Sequence, residues 1–157
     1  MDYILRGRAA YWRPNSREKW ADTIGLFENA LALDPHSVEA RAWLANALVA
    51  RATDGRTNSR GADMRRAEEL VGEAIAAAPR NWFAHYAKAG IRRFQGRCEE
   101  AIPEYEAALA LNPNWLAAFS RKSGGSSLTR AKIVQILAHE LEITRCPCVS
   151  PRRTEPG

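Results

Sequence analysis

The chain has 157 residues, the size of one domain, and 46% of them are apolar against 26% charged, a globular balance that excludes an intrinsically disordered chain. No apolar run approaches the ~20 residues of a membrane helix, the opening Met1-Asp-Tyr-Ile-Leu-Arg6 lacks the basic-then-apolar order of a secretory signal, and three cysteines make no disulfide framework, so a reducing cytoplasm is expected. The net charge of +5 is uneven: residues 1–119 hold 16 Lys/Arg against 15 Asp/Glu (net +1) and residues 120–157 hold 7 against 3 (net +4), so the body lacks the basic stripe of a nucleic-acid binder.

The pattern predicts helices in pairs. Arg13-Pro-Asn-Ser-Arg-Glu18 separates the first two, with Asn15 read as an N-cap and Glu18 as its capping-box partner. Phe27–Pro35 closes the second helix. Val38–Arg51 is a third, with Leu44, Ala45 and Leu48 on its packed face. A polar, glycine-containing insertion over 52–63 reads as a mobile loop, with Asp63 capping the next helix. That helix ends at Pro79. Trp82–Gln95 follows, with Ala89 as its small packing residue, then a turn at Gly96-Arg97, then Cys98–Leu111. Pro103 falls in the early turns of this last helix, where proline is best tolerated. Beyond Pro113 a fresh start at Asn114–Phe119 breaks off. Residues 120–127 are a Ser/Gly linker, 128–143 an amphipathic helix with Ile133, Ile136, Leu137 and Leu141 on one face, and 144–157 a disordered tail.

Three segments superimpose without gaps: Phe27–Pro35, Val71–Pro79 and Tyr105–Pro113. Pro79 and Pro113 lie 34 residues apart, and Pro35 and Pro79 lie 44 apart, which is the same period with ten residues inserted. One helical turn before each large residue stands a small one, Thr23, Ala67 or Ala101. A small residue lets two helices approach, the large one fills the space a turn later, and the proline prevents the helix from continuing.

These residues resemble the tetratricopeptide repeat family over residues 2–119. The resemblance implies an all-α fold, a right-handed helix–turn–helix solenoid of about three repeats (about 2–37, 38–81 and 82–115, then the broken fourth), with the helix at 128–143 folding back as a C-terminal cap over the open end. The opening Tyr3-Ile-Leu-Arg-Gly-Arg-Ala9 and the long inter-helix loop are similar to repeat segments found behind bacterial nucleotide-cyclase and winged-helix regulator domains. In this family the first helices line a concave face that holds a peptide or a partner helix. Carried over by repeat position, that face takes Arg8, Tyr11 and Trp12 from the first repeat. It takes Ala42, Asn46 and Val49 from the second, and Phe83, Tyr86, Arg93 and Phe94 from the third. The groove so predicted is aromatic, with two arginines that suit an acidic group, and aromatics with Arg are the types enriched at binding hot spots. The competing reading is that several of these aromatics simply pack between neighbouring helices; under either reading Arg93 is expected to be solvated. Some relatives grip a C-terminal carboxylate with Lys and Asn on successive first helices. The matching positions here hold Ile4, Arg8, Trp43, Phe83 and Ala87, so that clamp is not expected.

No motif points to catalysis, a metal or a cofactor. Cys146-Pro-Cys148 lacks the spacing and the four ligands of a zinc site. His139-Glu-Leu-Glu-Ile143 has Ile where a zinc-protease helix needs its second His. His36 and His85 are isolated in sequence, Cys98 reads as a small buried hydrophobe, and there is no glycine-rich phosphate loop. The expectation is a non-catalytic protein-binding scaffold. The alternatives are self-association through an open end bearing Trp115 and Phe119, as a structural arm of a larger bacterial signalling regulator, or a truncated or frameshifted fragment of one. Nucleic-acid binding through the +4 tail ranks below both.

Overall fold

A computed structural model of the chain describes residues 2–12 and 16–114, with Cys98 described by its backbone only. The expectations for Asn15, for the Cys98 side chain, for Trp115 and Phe119, and for the linker, capping helix and tail after residue 119 lie outside the described residues. Within them the protein is all-helical. Six helices follow one another: α1 (Tyr3–Tyr11), α2 (Arg17–Leu33), α3 (Val38–Thr53), α4 (Arg60–Ala77), α5 (Trp82–Phe94) and α6 (Cys98–Leu111). No helix among the described residues is long and apolar enough to cross a membrane.

The prolines act as the sequence predicts. Helices α2, α4 and α6 end at Leu33, Ala77 and Leu111, each two residues before its proline. After Pro35 and Pro79 the chain re-enters a helix through side-chain caps. Ser37 Oγ accepts the Ala40 amide at 3.3 Å, and Asn81 Oδ1 accepts the amides of Phe83 and Ala84 at 3.1 and 3.0 Å. Helix α6 runs through Pro103, its sixth residue. There the ring removes the amide that would have bonded Glu99, one turn inside the helix start.

Two boundaries differ from the sequence reading. The cap of α2 is Ser16, whose Oγ accepts the Lys19 amide at 3.3 Å. Its hydroxyl in turn donates to Glu18 Oε2 at 3.5 Å. Asp63 does not cap α4, because α4 starts at Arg60 and Asp63 lies inside its first turn. There the buried carboxylate takes a bidentate grip from Arg51 of α3, Nε to Oδ2 at 2.9 Å and Nη2 to Oδ1 at 2.7 Å. The predicted long loop is accordingly short. Helix α3 is three residues longer than α5, α4 four longer than α6, and the connection 54–59 three longer than 95–97. The inserted residues thus add about one turn to each helix and only three to the loop. The connection is held from α2, by Trp20 Nε1 donating to Asp54 Oδ2 at 3.1 Å and Arg17 Nη2 to Asn58 Oδ1 at 3.3 Å.

Packing follows chain order. The pairs α1/α2, α3/α4 and α5/α6 each pack face to face, α2 abuts α3, α4 abuts α5, and α1, α3 and α5 touch one another in succession. The three aligned sequence segments supply the contact residues. Their small residues Thr23, Ala67 and Ala101, their large residues Phe27, Val71 and Tyr105, and the alanines Ala30, Ala74 and Ala108 are all buried. Thr23 keeps its hydroxyl satisfied by donating to the Lys19 carbonyl at 2.8 Å. Gly7 of α1 is packed so closely that a Cβ there would sit 2.5 Å from the Phe27 ring. Phe27 is fully buried, and the absent side chain of Gly7 is what gives its ring room.

Candidate functional site

The first helices of the three pairs bring their side chains to one side of the molecule, around two recesses. The first, of about 120 Å³, is lined by Tyr11 of α1, Asn46 of α3, Asp54 just after α3, Tyr86 and Arg93 of α5, and Tyr105 of α6, with Val49 and Gly90 at its wall. The second, of about 230 Å³, lies towards the starts of α3 and α5, between Arg8, Glu39, Ala42, Trp43, Trp82 and Phe83.

An aromatic chain joins the two. Tyr11 meets Trp20, Trp43 and Phe83 edge-on at 5.7, 5.5 and 6.4 Å between ring centres. Trp43 lies against Phe83 at 3.9 Å, Phe83 stacks on Tyr86 at 5.8 Å, and Tyr86 meets Tyr105 edge-on at 5.7 Å. Edge-on and offset contacts are the arrangements that ring quadrupoles favour. The result is a continuous wall made by four helices and the first turn of α2.

Burial changes the polar chemistry of the three tyrosines. It raises the phenol of Tyr11 far above its ordinary value, with the Tyr86 phenol and the Asp54 carboxylate adding to the effect. It also raises Tyr86 and Tyr105, and in both the positive charge of Arg93 works the other way. All three are therefore neutral hydroxyls at physiological pH and able to donate. The first recess is polarised by the same interactions, with Asp54 acting at the Tyr11 end and Arg93 at the Tyr86/Tyr105 end.

The groove residues predicted from the sequence divide into four cases. Tyr11, Asn46, Tyr86 and Arg93 come together in the first recess, as does Val49. Arg8 and Ala42 line the second, where Arg8 is exposed, sits 5.3 Å above the Trp43 ring and pairs with Glu39 at 3.3 Å. Trp12 and Phe94 are exposed at the ends of α1 and α5 and line neither recess. Phe83 and Asn46 line the second and first recess respectively, and both are buried and also serve the fold. Phe83 is the centre of the aromatic wall. Asn46 spends its amide donors on the carbonyls of Ala42 (2.9 Å) and Phe83 (3.0 Å), tying α3 to α5.

Arg93 is a correction. Its guanidinium is only partly solvated, because Nε and Nη1 are buried and find no acceptor among the described residues. His85 is not isolated either. Its Nδ1 lies 2.7 Å from Glu104 Oε2 and its Nε2 2.9 Å from the Pro79 carbonyl, while Lys88 Nζ reaches Glu104 Oε1 at 2.5 Å. Burial works to raise the Glu104 carboxyl, but the hydrogen bonds and charges of His85 and Lys88 outweigh it, so its pKa lies below the ordinary carboxylate value.

Sequence reasoning missed Asp54 and Tyr105 as wall residues. Tyr105 was visible as the large residue of its segment, but its reach to the first-helix side was not. Asp54 gave no signal, since it entered the recess only when α3 ran past its expected end. No group of three or more His, Cys, Asp or Glu able to hold a metal ion occurs among the described residues.

No family model matches the chain, and no curated protein matches it. The site is therefore read from its own geometry.

Proposed function

We propose that the chain is a tetratricopeptide-type solenoid of about three repeats that works as a non-catalytic scaffold, holding a peptide or helix of a partner protein against its first helices. One observation carries this reading. Tyr11, Asn46, Tyr86 and Arg93 were selected by repeat position from three separate helices, and they line a single recess. The burial of the small, large and alanine positions named above in the three aligned segments supports the same repeat, and the packing of each helix pair mainly on its sequence neighbours suits it.

The binding mechanism follows from rigidity and composition. The aromatic wall is fixed before a partner arrives, so few side chains lose freedom on binding. Trp12 and Phe94, exposed at 59% and 39% at the ends of α1 and α5, offer apolar anchors outside the two recesses, and Arg8 offers a charge for orientation.

The test uses the exposed anchors. Phe83→Ala is unsuitable, because removing a buried Phe costs about 3–5 kcal/mol of stability and its effect on binding would be unreadable. Full-length chain is compared with the Trp12→Ala/Phe94→Ala double variant, first for helicity by circular dichroism, then for partners captured from lysate and identified by mass spectrometry. The expected result is unchanged helicity and a partner bound by wild type and held at least about tenfold more weakly by the variant, about 1.4 kcal/mol. Equal affinity in both chains, or no partner for either, removes the groove reading.

A further inference from the structure

Arg93 stands in the last turn of α5 and lines the 120 Å³ recess. Its guanidinium is always charged and carries five N–H donors in a planar fork. The Nε and Nη1 atoms are shut off from solvent and donate to nothing among the described residues. Each of the two edges by which a guanidinium grips a carboxylate carries one of these atoms. Buried donors are nearly always satisfied, and buried cations nearly always paired. Arg51, in the last turn of α3, shows the filled case, with Asp63 on its Nε and Nη2.

The surroundings specify what would fill Arg93. Neutral hydroxyls of Tyr86 and Tyr105 share its end of the recess. The Tyr105 hydroxyl adds a donor, which suits an acceptor. Among the described residues the only acid in the lining is Asp54, and that carboxylate already takes the Trp20 indole at 3.1 Å. The volume is well under the roughly 300–1,000 Å³ of a drug-sized or cofactor pocket. It admits one small planar group, not a nucleotide. A group that is small, planar, anionic and rich in acceptors is a carboxylate.

We infer that Arg93, with Tyr86 and Tyr105, forms a binding site for a single carboxylate, supplied by an acidic residue of the partner peptide. The inference rests on the scaffold reading above and names one specific contact within it. The peptide would lay its backbone along the first helices and drop one Asp or Glu side chain into the recess. Charge neutralisation then occurs in a site with little water, where a charge-assisted hydrogen bond is strong.

The experiment follows the Arg Nε–Hε resonances of the full chain by NMR while sodium acetate replaces sodium chloride at constant ionic strength. A parallel titration uses acetamide, which has the same shape without the charge. The Arg93 resonance is identified by through-bond correlation and by its disappearance in Arg93→Lys; should that variant not fold, the correlation suffices. The expected result is a saturable shift of Arg93 alone with acetate, and an acetamide response at least about tenfold weaker. Three outcomes overturn the inference: a linear drift shared by all arginines, an equal response to acetamide, or a shift of Arg93 before any acetate is added when Glu140, Glu142 and Glu155 are together changed to Gln. The last would mean that this chain's own acids fill the site. Acetate saturation without partner capture would leave the carboxylate site standing and remove the scaffold reading. Capture that depends on Trp12 and Phe94, without acetate saturation, would do the reverse.

Discussion

The pairs α3/α4 and α5/α6 are built on one plan and differ in height. Both first helices end in the same way. At Gly55 and Gly96 the backbone turns to φ +69° and +76°. The amides of Gly55 and Arg56 bond Ala52 and Arg51, and those of Gly96 and Arg97 bond Arg93 and Arg92. This is the Schellman closure, with glycine at the left-handed position. The pairs also start and end at the same distances from their prolines, so all the extra length of α3/α4 lies at the loop end. One turn added to each helix keeps both faces in phase, which is why ten inserted residues leave the rest of the packing pattern intact. Helix α2 begins early enough to rise beside the added turns, and Trp20 and Arg17 bond the loop from it. An insertion is thus absorbed as regular structure when a neighbouring helix can cover it.

The two pairs are also latched differently, and the largest expected effect lies there. In α3/α4 the latch is Arg51–Asp63, with the Asp63 side chain only 8% exposed. Asp63→Ala leaves the guanidinium unpaired between two helices. Breaking a buried pair from one side costs about 3 kcal/mol, so the urea midpoint should fall by more than 1 M at a slope of about 1–3 kcal/mol/M. A fall no larger than that of an exposed pair, such as Arg66–Glu28, would mean that the added turns are not held by this latch.

A smaller effect tests whether the two closures are equivalent. Gly55→Ala and Gly96→Ala each place a Cβ at positive φ, costing about 1 kcal/mol. Around Gly96 the space is open, and at Gly55 the nearest atom is the movable tip of Arg60, at 2.8 Å. Thermal denaturation should therefore give losses equal within a few tenths of a kcal/mol. A much larger loss at Gly55 would show that the loop over it, and not the closure alone, constrains the added turns.

The sequence showed the plan and hid the height. Prolines, caps and the small–large–alanine pattern are local, period-bound signals, and they located five helix ends within two residues. The insertion looked like a loop because Thr53–Ser59 and Arg60–Asp63 are polar and contain glycine. Helix formation there is decided by what α2 covers and by the pairing of Arg51 with Asp63, neither of which has a local signature. The site divides on the same line. Repeat position found Tyr11, Asn46, Tyr86 and Arg93, because the faces of successive first helices are set by spacing. It could not say which of them would be interior. Asn46 was drawn inward by the Phe83 carbonyl, and Arg93 shares its recess with Tyr11 of α1 and Tyr105 of α6 as well as with Tyr86 of its own helix.

The latch of α5/α6 gives the smallest effect and the only one with a pH signature. Glu104 is held by His85 and Lys88 and has its pKa lowered from the reference value of 4.5. A carboxylate lowered in the folded state adds stability that is present above the unfolded pKa and is lost as pH falls through the folded one. The contribution is thus whole at neutral pH and declines below about pH 4.5. Lys88 is 36% exposed, and solvent screening limits the whole effect to less than about 1 kcal/mol. Glu104→Gln should lower stability by that amount at pH 7 and by progressively less as the buffer is acidified, so that the two denaturation curves converge. A gap between wild type and variant that stays constant from pH 7 to pH 3 would show that Glu104 acts through packing and not through charge. The α5/α6 pair would then have at Glu104 no ionic latch of the kind that holds α3/α4, leaving its apolar seam and the partly exposed Arg92–Glu100 pair at 3.8 Å.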